Sequence, residues 1–127
     1  MRNKATSARL KRTLSVFPLV SLGSGNTNAD GPKPVAPLLF YPTTIGPTGI
    51  AFCNGCGLGT AREGDLFFGS FNTGDIHEVT LDADRTRVAR DATPFNHGNL
   101  VLSIETGPDG ALYFSDGVGI FRLALEG

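Results

Sequence analysis

The fold is decided by residues 63–82, which read EGDLFFGSFNTGDIHEVTLD. Two apolar segments, 65–70 and 75–81, flank the turn 71–74, whose Asn and Gly suit the positive backbone angles of a tight hairpin. The pattern therefore predicts a β-hairpin. Its second strand alternates imperfectly, which predicts a buried face of Ile76, Val79 and Leu81 and a wet face of His77, Glu78 and Thr80.

The same hairpin occurs again in residues 109–127, DGALYFSDGVGIFRLALEG. Setting Gly64 on Gly110 aligns the first strands at a shift of 46 residues, and setting Ile76 on Ile120 gives a shift of 44 beyond the turn. A repeat of this length with about four short strands is typical of β-propeller blades. Closed propellers need roughly four to eight blades. The sequence therefore predicts an all-β fold, a propeller fragment of about two blades with four-stranded antiparallel sheets.

Further segments are candidate strands because they are short, apolar and bounded by Gly, Pro or polar residues. They are LLFY at 38–41, GIAF at 49–52, TRVAR at 86–90 and LVLSIET at 100–106. The doubled hairpin also predicts a buried set. This set comprises Ile50, Phe52, Leu66, Phe68, Ile76, Val79, Leu112, Phe114, Ile120 and Leu123.

The charge of the chain is uneven along its length. Among 127 residues, 18% are charged and the formal net charge is −1, but five of the eleven bases precede residue 13. Residues 13–127 therefore hold six bases against twelve acids. A propeller segment with this acidic excess has no electrostatic basis for binding nucleic acid.

The first 36 residues differ from the rest. They form a basic, signal-like or disordered segment followed by a Pro/Gly linker, and residues 37–127 form the predicted partial propeller. TLSVFPLVSLGSG resembles the apolar part of a secretory signal, which predicts a periplasmic or secreted protein, although Pro18 interrupts the run. The alternatives are a cytoplasmic protein with a basic tail or a mispredicted gene start. No run approaches the roughly 18 apolar residues of a membrane span.

Three motifs between Pro34 and Leu125 carry a resemblance to a known family: TTIGPTGIAF, GDLFFGSFNTGDIHEVTLD and GPDGALYFSD. In this order they resemble the late blades of the glucose/sorbosone dehydrogenase family. That resemblance implies a six-bladed propeller that oxidises sugars with pyrroloquinoline quinone (PQQ). The PDG-containing strand by itself is shared with NHL-type propellers.

The resemblance also implies where the quinone would be held. Family members bind its carboxylates with cationic side chains, which form strong charge-assisted bonds. Here Asn72 occupies the position of a lysine, and Leu100 and Leu102 occupy the positions of two arginines. Thr44 matches a threonine near the quinone, or it caps its own turn. The candidate cofactor-binding residues are thus Thr44 and Asn72, and all three cations are absent.

No catalytic residue is predicted. The resemblance places the general base, a histidine, on an early blade that has no counterpart in this chain. His77 is in the wrong strand, on its predicted wet face. His97, in the polar stretch NHGN, is either a ligand or base or an ordinary loop residue.

Two cysteines form Cys53-Asn54-Gly55-Cys56, which allows three interpretations: a small disulfide loop, half a zinc site, or a redox dithiol. Zinc would require four ligands, and there is no second cysteine pair, so no metal site is predicted. A redox motif would usually open a helix, whereas this one lies in a glycine-rich insertion. We expect a structural disulfide in an exported protein and free thiols in a cytosolic one.

Two functions remain. The first is a partial propeller resembling the late blades of a PQQ-dependent sugar dehydrogenase, inactive by itself and dependent on missing blades for its sugar substrate. The alternative is a non-catalytic NHL-like module for binding or scaffolding. Because two blades expose strand edges and apolar faces, we also expect self-association.

Overall fold

The computed structural model describes residues 35–126, and the signal-like prediction falls on residues outside this range. The described residues from Tyr41 onward form one compact unit. The predicted strand at 38–41 is wrong, because this segment forms no strand. Pro37 and Pro42 flank it, and proline has no N–H to donate to a ladder. Among the described residues, no helix is long and apolar enough to cross a membrane.

The first sheet contains four antiparallel strands in sequence order. A short 3₁₀ turn, Thr60–Arg62, lies between its first two strands, and the second and third form the predicted hairpin. The third strand begins and ends at the predicted residues. The four strands are β1 (Pro47–Phe52), β2 (Leu66–Ser70), β3 (Asp75–Leu81) and β4 (Val88–Asn96).

The second sheet is antiparallel and has the order β5-β6-β7. Its strands are β5 (Ser103–Thr106), β6 (Leu112–Ser115) and β7 (Ile120–Arg122). Within residues 35–126 this sheet has three strands, one fewer than the predicted four. The all-β prediction of a two-blade propeller fragment is otherwise confirmed.

Equivalent strands of the two sheets present equivalent faces in the same direction. Phe68 pairs with His77 and Phe67 with Glu78, so Phe67 and Phe68 lie on opposite faces of the first sheet. Phe67 belongs to the core that the two sheets share, as does Phe114, the repeat partner of Phe68. The sheets thus stack front to back, as successive blades do. The core consists of Ala51, Cys53, Cys56, Leu58, Phe67, Ile76, Val101, Ile104, Leu112 and Phe114.

This stacking explains why part of the predicted buried set is exposed. Ile50 and Phe52 are 61% and 44% exposed, because they lie on the face of the first sheet that is turned away from the second. Ile120 is 78% exposed on the outer face of the second sheet, whereas its repeat partner Ile76 is fully buried between the sheets. The prediction was therefore wrong for Ile50, Phe52 and Ile120. Leu66 and Leu123 are half-buried, and the other five predicted residues are buried.

The predicted wet face of β3 was also wrong at two positions. His77 and Glu78 are both buried, at 5% and 2% exposure. His77 stacks on the ring of Phe68 at 4.5 Å between centroids, and Glu78 lies on the face turned towards the second sheet. A strand covered on both faces buries polar and apolar positions alike, so its alternation no longer reports exposure.

The two sheets approach most closely where β1 meets the segment leading into β5. The Thr48 hydroxyl donates a hydrogen bond of 2.8 Å to the Val101 carbonyl. A Cβ atom on Gly49 would lie 2.3 Å from the backbone nitrogen of Ile104, and one on Gly69 would lie 2.3 Å from Cγ1 of Val101. The two glycines therefore allow a close approach that a side chain would prevent.

Candidate functional site

One end of both sheets collects the polar turns of the chain. We call this end the turn rim and define it by residues 42–46, 71–75, 96–102 and 116–119. The hairpin turn follows β2, the third of these segments precedes β5, and the last turn joins β6 to β7. Because the strands are antiparallel, these connections meet at the same edge of the fold.

The turn rim brings the two predicted cofactor-binding residues together. The side-chain amide of Asn72 donates to the Thr44 carbonyl at 2.9 Å, and its backbone N–H donates to the Ile45 carbonyl at 3.0 Å. Both Thr44 and Asn72 are exposed. The contact uses the backbone of Thr44 and not its hydroxyl, so Asn72 serves to fix the neighbouring turn.

A second polar group lies directly beneath the hairpin turn. The buried Ser70 hydroxyl donates to the Ile45 carbonyl at 2.6 Å, and the Thr73 hydroxyl donates to the Asp75 carboxylate at 2.6 Å. Asn96 donates to the same carboxylate at 2.7 Å. Hydrogen bonds from Thr73 and Asn96 hold the pKa of Asp75 below its usual range. The rim therefore carries a fixed negative charge at Asp75.

The third polar group is a histidine–aspartate pair that the sequence did not predict. Nε2 of His97 lies 2.8 Å from Oδ2 of Asp116, whose side chain is buried. The other carboxylate oxygen accepts the N–H groups of Val118 and Gly119, each at 2.8 Å. These bonds, that of His97 first, lower the pKa of Asp116 to about 2. An ionised Asp116 accepts a hydrogen from Nε2, which leaves Nδ1 of His97 as the basic nitrogen.

His97 also borders an apolar groove between the outer strands of the two sheets. The groove has a volume of about 340 Å³ and is lined by Phe67, Ile76, Phe95, Phe114 and Phe121 in addition to His97. The imidazole packs edge-on against Phe114 at 4.9 Å between centroids. Arg62, Arg122 and Glu126 also line the groove, so its mainly apolar wall carries a few polar groups, as the walls of small-molecule sites usually do.

Most of the chain matches a known protein family. The family model, described as Glucose / Sorbosone dehydrogenase, matches residues 20–119. The chain belongs to the glucose/sorbosone dehydrogenase family. The resemblance predicted from the sequence motifs is therefore confirmed. No curated protein matches the sequence at a significant level.

Solved structures of glucose dehydrogenases share the fold of this family member. A Thermus thermophilus protein described as an oxidoreductase (glucose dehydrogenase) is 25% identical, with a TM-score of 0.56 over 75% of this chain. Two further glucose dehydrogenases, 24% and 22% identical, superpose with a TM-score of 0.64 over 75% and 81% of this chain. The chain covers only 28% to 32% of the length of these three structures.

The residues present at the turn rim do not fit the quinone that the family resemblance implies. Leu100 is half-buried and Leu102 is 44% exposed, and neither carries a charge. The acidic residues of the rim segments are Asp75 and Asp116. The cationic side chains of residues 35–126 all lie outside the turn rim. They are Arg62, Arg85, Arg87, Arg90 and Arg122. A polyanion therefore meets negative charge and no compensating cation among residues 35–126.

Two of these arginines belong instead to a buried charge cluster in the first sheet. Nε of Arg62 donates to Glu78 at 2.9 Å, and Arg90 donates to the other oxygen of the same carboxylate. Burial alone would raise the pKa of Glu78, but the hydrogen bonds from Arg62 and Arg90 outweigh it and hold the pKa below its usual range. Asp65, 3.6 Å from Arg90, has a raised pKa because it is buried. Both oxygens of the Glu78 carboxylate are thus paired with arginines within the sheet.

At the end of the sheets opposite the turn rim, Cys53 and Cys56 form a disulfide bond. Of the three interpretations that the sequence left open, the structure thus contains the disulfide loop. Both cysteines are buried in the shared core. The carboxylate of Glu63 lies 3.5 Å from Sγ of Cys53, a neighbour that the spacing of the cysteines did not predict.

Proposed function

We propose that this chain supplies two neighbouring blades of a sugar-dehydrogenase-type propeller and that, by itself, it does not oxidise sugars with PQQ. The observation that carries this proposal is the composition of the turn rim. Its expected cationic positions hold Asn72, Leu100 and Leu102, and its charged groups are the carboxylates Asp75 and Asp116.

The energetic consequence is large compared with a useful binding energy. A hydrogen bond to a charged group contributes about 1.5 to 3 kcal/mol. Losing three of them would raise a dissociation constant by roughly three or more powers of ten, since about 1.4 kcal/mol corresponds to a factor of ten. The early-blade histidine that the resemblance makes the general base is a further requirement, worth roughly 10² to 10⁴ in rate.

The test is a titration of the purified chain with PQQ and a series of aldoses while the reduction of an electron-accepting dye is followed. We expect no turnover above the cofactor-only blank. Quinone binding is measured separately by equilibrium dialysis, since it does not depend on the base. Saturable sugar oxidation by the unmodified chain would refute the proposal.

A matched pair of variants tests the role of charge directly. Leu100→Arg/Leu102→Arg places two cations in the turn rim, whereas Ala83→Arg/Ala89→Arg adds the same charge at exposed positions outside it. We expect tighter quinone binding for the rim variant alone. Equal binding by both variants would mean that only overall charge matters and that the rim is not the quinone-facing surface.

The partner in this proposal is another set of blades. Ile50 and Phe52 are exposed on one outer face of the stacked sheets, and Ile120 is exposed on the other. Apolar side chains on the two open faces of a front-to-back stack suit a neighbour on each side. We expect the chain to self-associate in solution, measured by light scattering after gel filtration. The Ile50→Lys/Ile120→Lys variant should have a smaller mass in solution than the unmodified chain. A monomeric unmodified chain that melts cooperatively would contradict the expected self-association.

A binding module of the NHL type is the second candidate, and the groove beside His97 favours it. The groove lies between the described sheets and needs no further blade to form. A chain that binds small apolar ligands with His97-dependent affinity, yet ignores PQQ, would support this candidate. Because both functions predict no quinone turnover by the chain alone, the His97-dependent binding of an apolar ligand is the result that separates them.

Export to the periplasm or outside the cell is part of the proposal, with a cytoplasmic location as the alternative. The Cys53–Cys56 disulfide supports export, because disulfides persist mainly in oxidising compartments. Cell fractionation, combined with alkylation of free thiols before lysis, tests it. Recovery of a fully alkylated chain from the cytoplasm would contradict it.

A further inference from the structure

The loop between β1 and β2 holds three potential metal ligands at the end of the sheets opposite the turn rim. One ligand atom from each of Cys53, Cys56 and Glu63 can be chosen so that all three lie within 4.8 Å of one another. The two cysteines are buried and the glutamate is exposed. Sequence spacing predicted no metal site here, since it offered only the cysteine pair.

The position of Glu63 does not depend on the disulfide. Cys53 donates its backbone N–H to the Asp65 carbonyl at 2.8 Å, and Gly64 donates to the Cys53 carbonyl at 2.8 Å. These two bonds extend the β1–β2 ladder past the ends of the strands. Glu63, adjacent to Gly64, is therefore held beside Cys53 by the backbone, whatever the oxidation state of the sulfur.

The loop also orients the carboxylate. The backbone N–H of Gly55 lies 2.9 Å from Oε1 and 3.2 Å from Oε2 of Glu63. No ion pair involves Glu63 within residues 35–126, whereas the adjacent Arg62 is paired with Glu78. An oriented carboxylate without a cationic partner is suited to bind a cation, and hydrogen bonds to a ligating group of this kind support metal affinity.

The separations agree with a tetrahedral thiolate–carboxylate site. Zn–S and Zn–O bonds of about 2.3 and 2.1 Å at a tetrahedral angle put the sulfur and oxygen ligands about 3.6 Å apart. Sγ of Cys53 and Oε2 of Glu63 are 3.5 Å apart. The two bonded sulfurs would have to separate, and the glycines at 55 and 57 lie in an open part of the loop, where even an added Cβ would meet nothing within 4 Å.

We propose that, once the disulfide is reduced, Cys53, Cys56 and Glu63 bind a thiophilic divalent cation such as Zn²⁺, with a solvent molecule as fourth ligand. Reduction adds two electrons and two protons to the disulfide and yields two thiols. The electrons come from a thiol or phosphine reductant, which is oxidised to its disulfide or phosphine oxide. Metal binding then forms two metal–sulfur bonds and releases the two thiol protons to solvent.

The loop would thus hold a covalent bond under oxidising conditions and a metal ion under reducing ones. Two thiolates favour a thiophilic ion over Ca²⁺ or Mg²⁺, which prefer oxygen ligands. The exposed side of Glu63 leaves the fourth position open to solvent. The reduced loop therefore has three protein ligands and one exchangeable ligand.

The test uses the tag-free chain and Co²⁺, which reports tetrahedral thiolate coordination through its charge-transfer and d–d absorption bands. After reduction with a phosphine, we expect one equivalent of Co²⁺ to bind, and Zn²⁺ to displace it. The oxidised chain should give no such bands. Absence of the bands in the reduced chain would overturn the proposal.

Variants separate the three-ligand site from chance binding by thiols. Glu63→Gln should weaken Co²⁺ binding by at least about tenfold, and Cys53→Ser should abolish the thiolate bands, whereas Glu105→Gln, an exposed carboxylate in β5, should change neither. The fold of Glu63→Gln is checked in its oxidised state by circular dichroism. Equal Co²⁺ affinity of Glu63→Gln and the unmodified reduced chain would overturn the proposal. The same result is expected if reduction unfolds the loop and the thiols bind Co²⁺ without Glu63, so that case also overturns it.

Discussion

Gly49 lies where the two sheets approach most closely, and replacing it by alanine should destabilise the fold strongly. An ideal Cβ at this position would lie 2.3 Å from the backbone nitrogen of Ile104, whereas ordinary contact begins at 3.4 Å. The nearest atoms all belong to the main chain of Ser103 and Ile104, so no side-chain rotation relieves the clash. Overpacking of this kind costs about 1 to 3 kcal/mol, and the positive φ of 48° adds about 1 kcal/mol for a residue with a Cβ. The expected total is about 2 to 4 kcal/mol, a large part of the ~5 to 15 kcal/mol typical of a domain.

Gly98→Ala is the matched control for this prediction. Gly98 has a φ of 79°, and a Cβ there would meet nothing within 4 Å. It carries the backbone strain without the clash, so the difference between the two variants isolates the contact between the sheets. Thermal melting at equal protein concentration, followed by far-UV circular dichroism, should place Gly49→Ala about 5 °C or more below Gly98→Ala. Indistinguishable melting curves would refute the close packing of β1 against β5.

Two further predictions concern buried carboxylates. His97→Ala should raise the pKa of Asp116 from about 2 towards its ordinary value of 3.8, which NMR titration can follow. The lowered pKa stabilises the fold at pH values above 3.8, and this stability is lost as the pH falls through about 2, so the variant should denature in acid at a higher pH than the unmodified chain. An unchanged titration of Asp116 would contradict the pairing. Glu78→Gln should cost about 1 to 3 kcal/mol in urea denaturation, because two arginines lose their charged acceptor; a loss no larger than that of the exposed control Glu105→Gln would contradict the cluster.

The strands themselves were largely predictable, because hairpins are local in sequence. β3 has the predicted bounds, and β2 lies within the predicted segment 65–70. In the turn between them Gly74 has the predicted positive φ, at 77°, whereas Asn72 does not. The mid-forties repeat then indicated propeller blades, since it reflects how many residues four short strands and their turns need.

Burial was less predictable, because it depends on which face of a blade has a neighbour. Ile76 and Ile120 hold equivalent places in the repeat, yet one is fully buried and the other is 78% exposed. Periodicity within a strand describes its two faces but not what covers them. The burial of Glu78 had no local signal either, since it is compensated by Arg62 and Arg90, which are distant in the sequence.

The cofactor-binding role of Thr44 and Asn72 stays a prediction, and only the placement of these residues can be compared with the structure. The family motifs led to Thr44 and Asn72, and the fold brings these two residues into contact. Asp116, the partner of His97, lies in another turn, and their proximity follows from antiparallel strands ending at a common edge, which sequence spacing alone does not reveal. Glu63 lies in the same β1–β2 loop as the cysteines, but its carboxylate comes close to Cys53 only because the backbone of that loop folds back on itself.

The hydrogen bonds within the turn rim determine which ligands it can bind. The Asn72 amide donates its hydrogen bond to the Thr44 carbonyl. The carboxylates of Asp75 and Asp116 accept hydrogen bonds from neighbouring hydroxyl, amide and backbone N–H groups. A polyanionic ligand would have to displace these bonds while approaching two fixed negative charges, so it would lose existing contacts without gaining a charged one. A neutral hydrogen-bond donor that approaches the His97 ring meets no such repulsion. The rim therefore favours neutral or cationic hydrogen-bond donors over a polyanionic cofactor, which is the physical reason for expecting quinone binding only when cations are added.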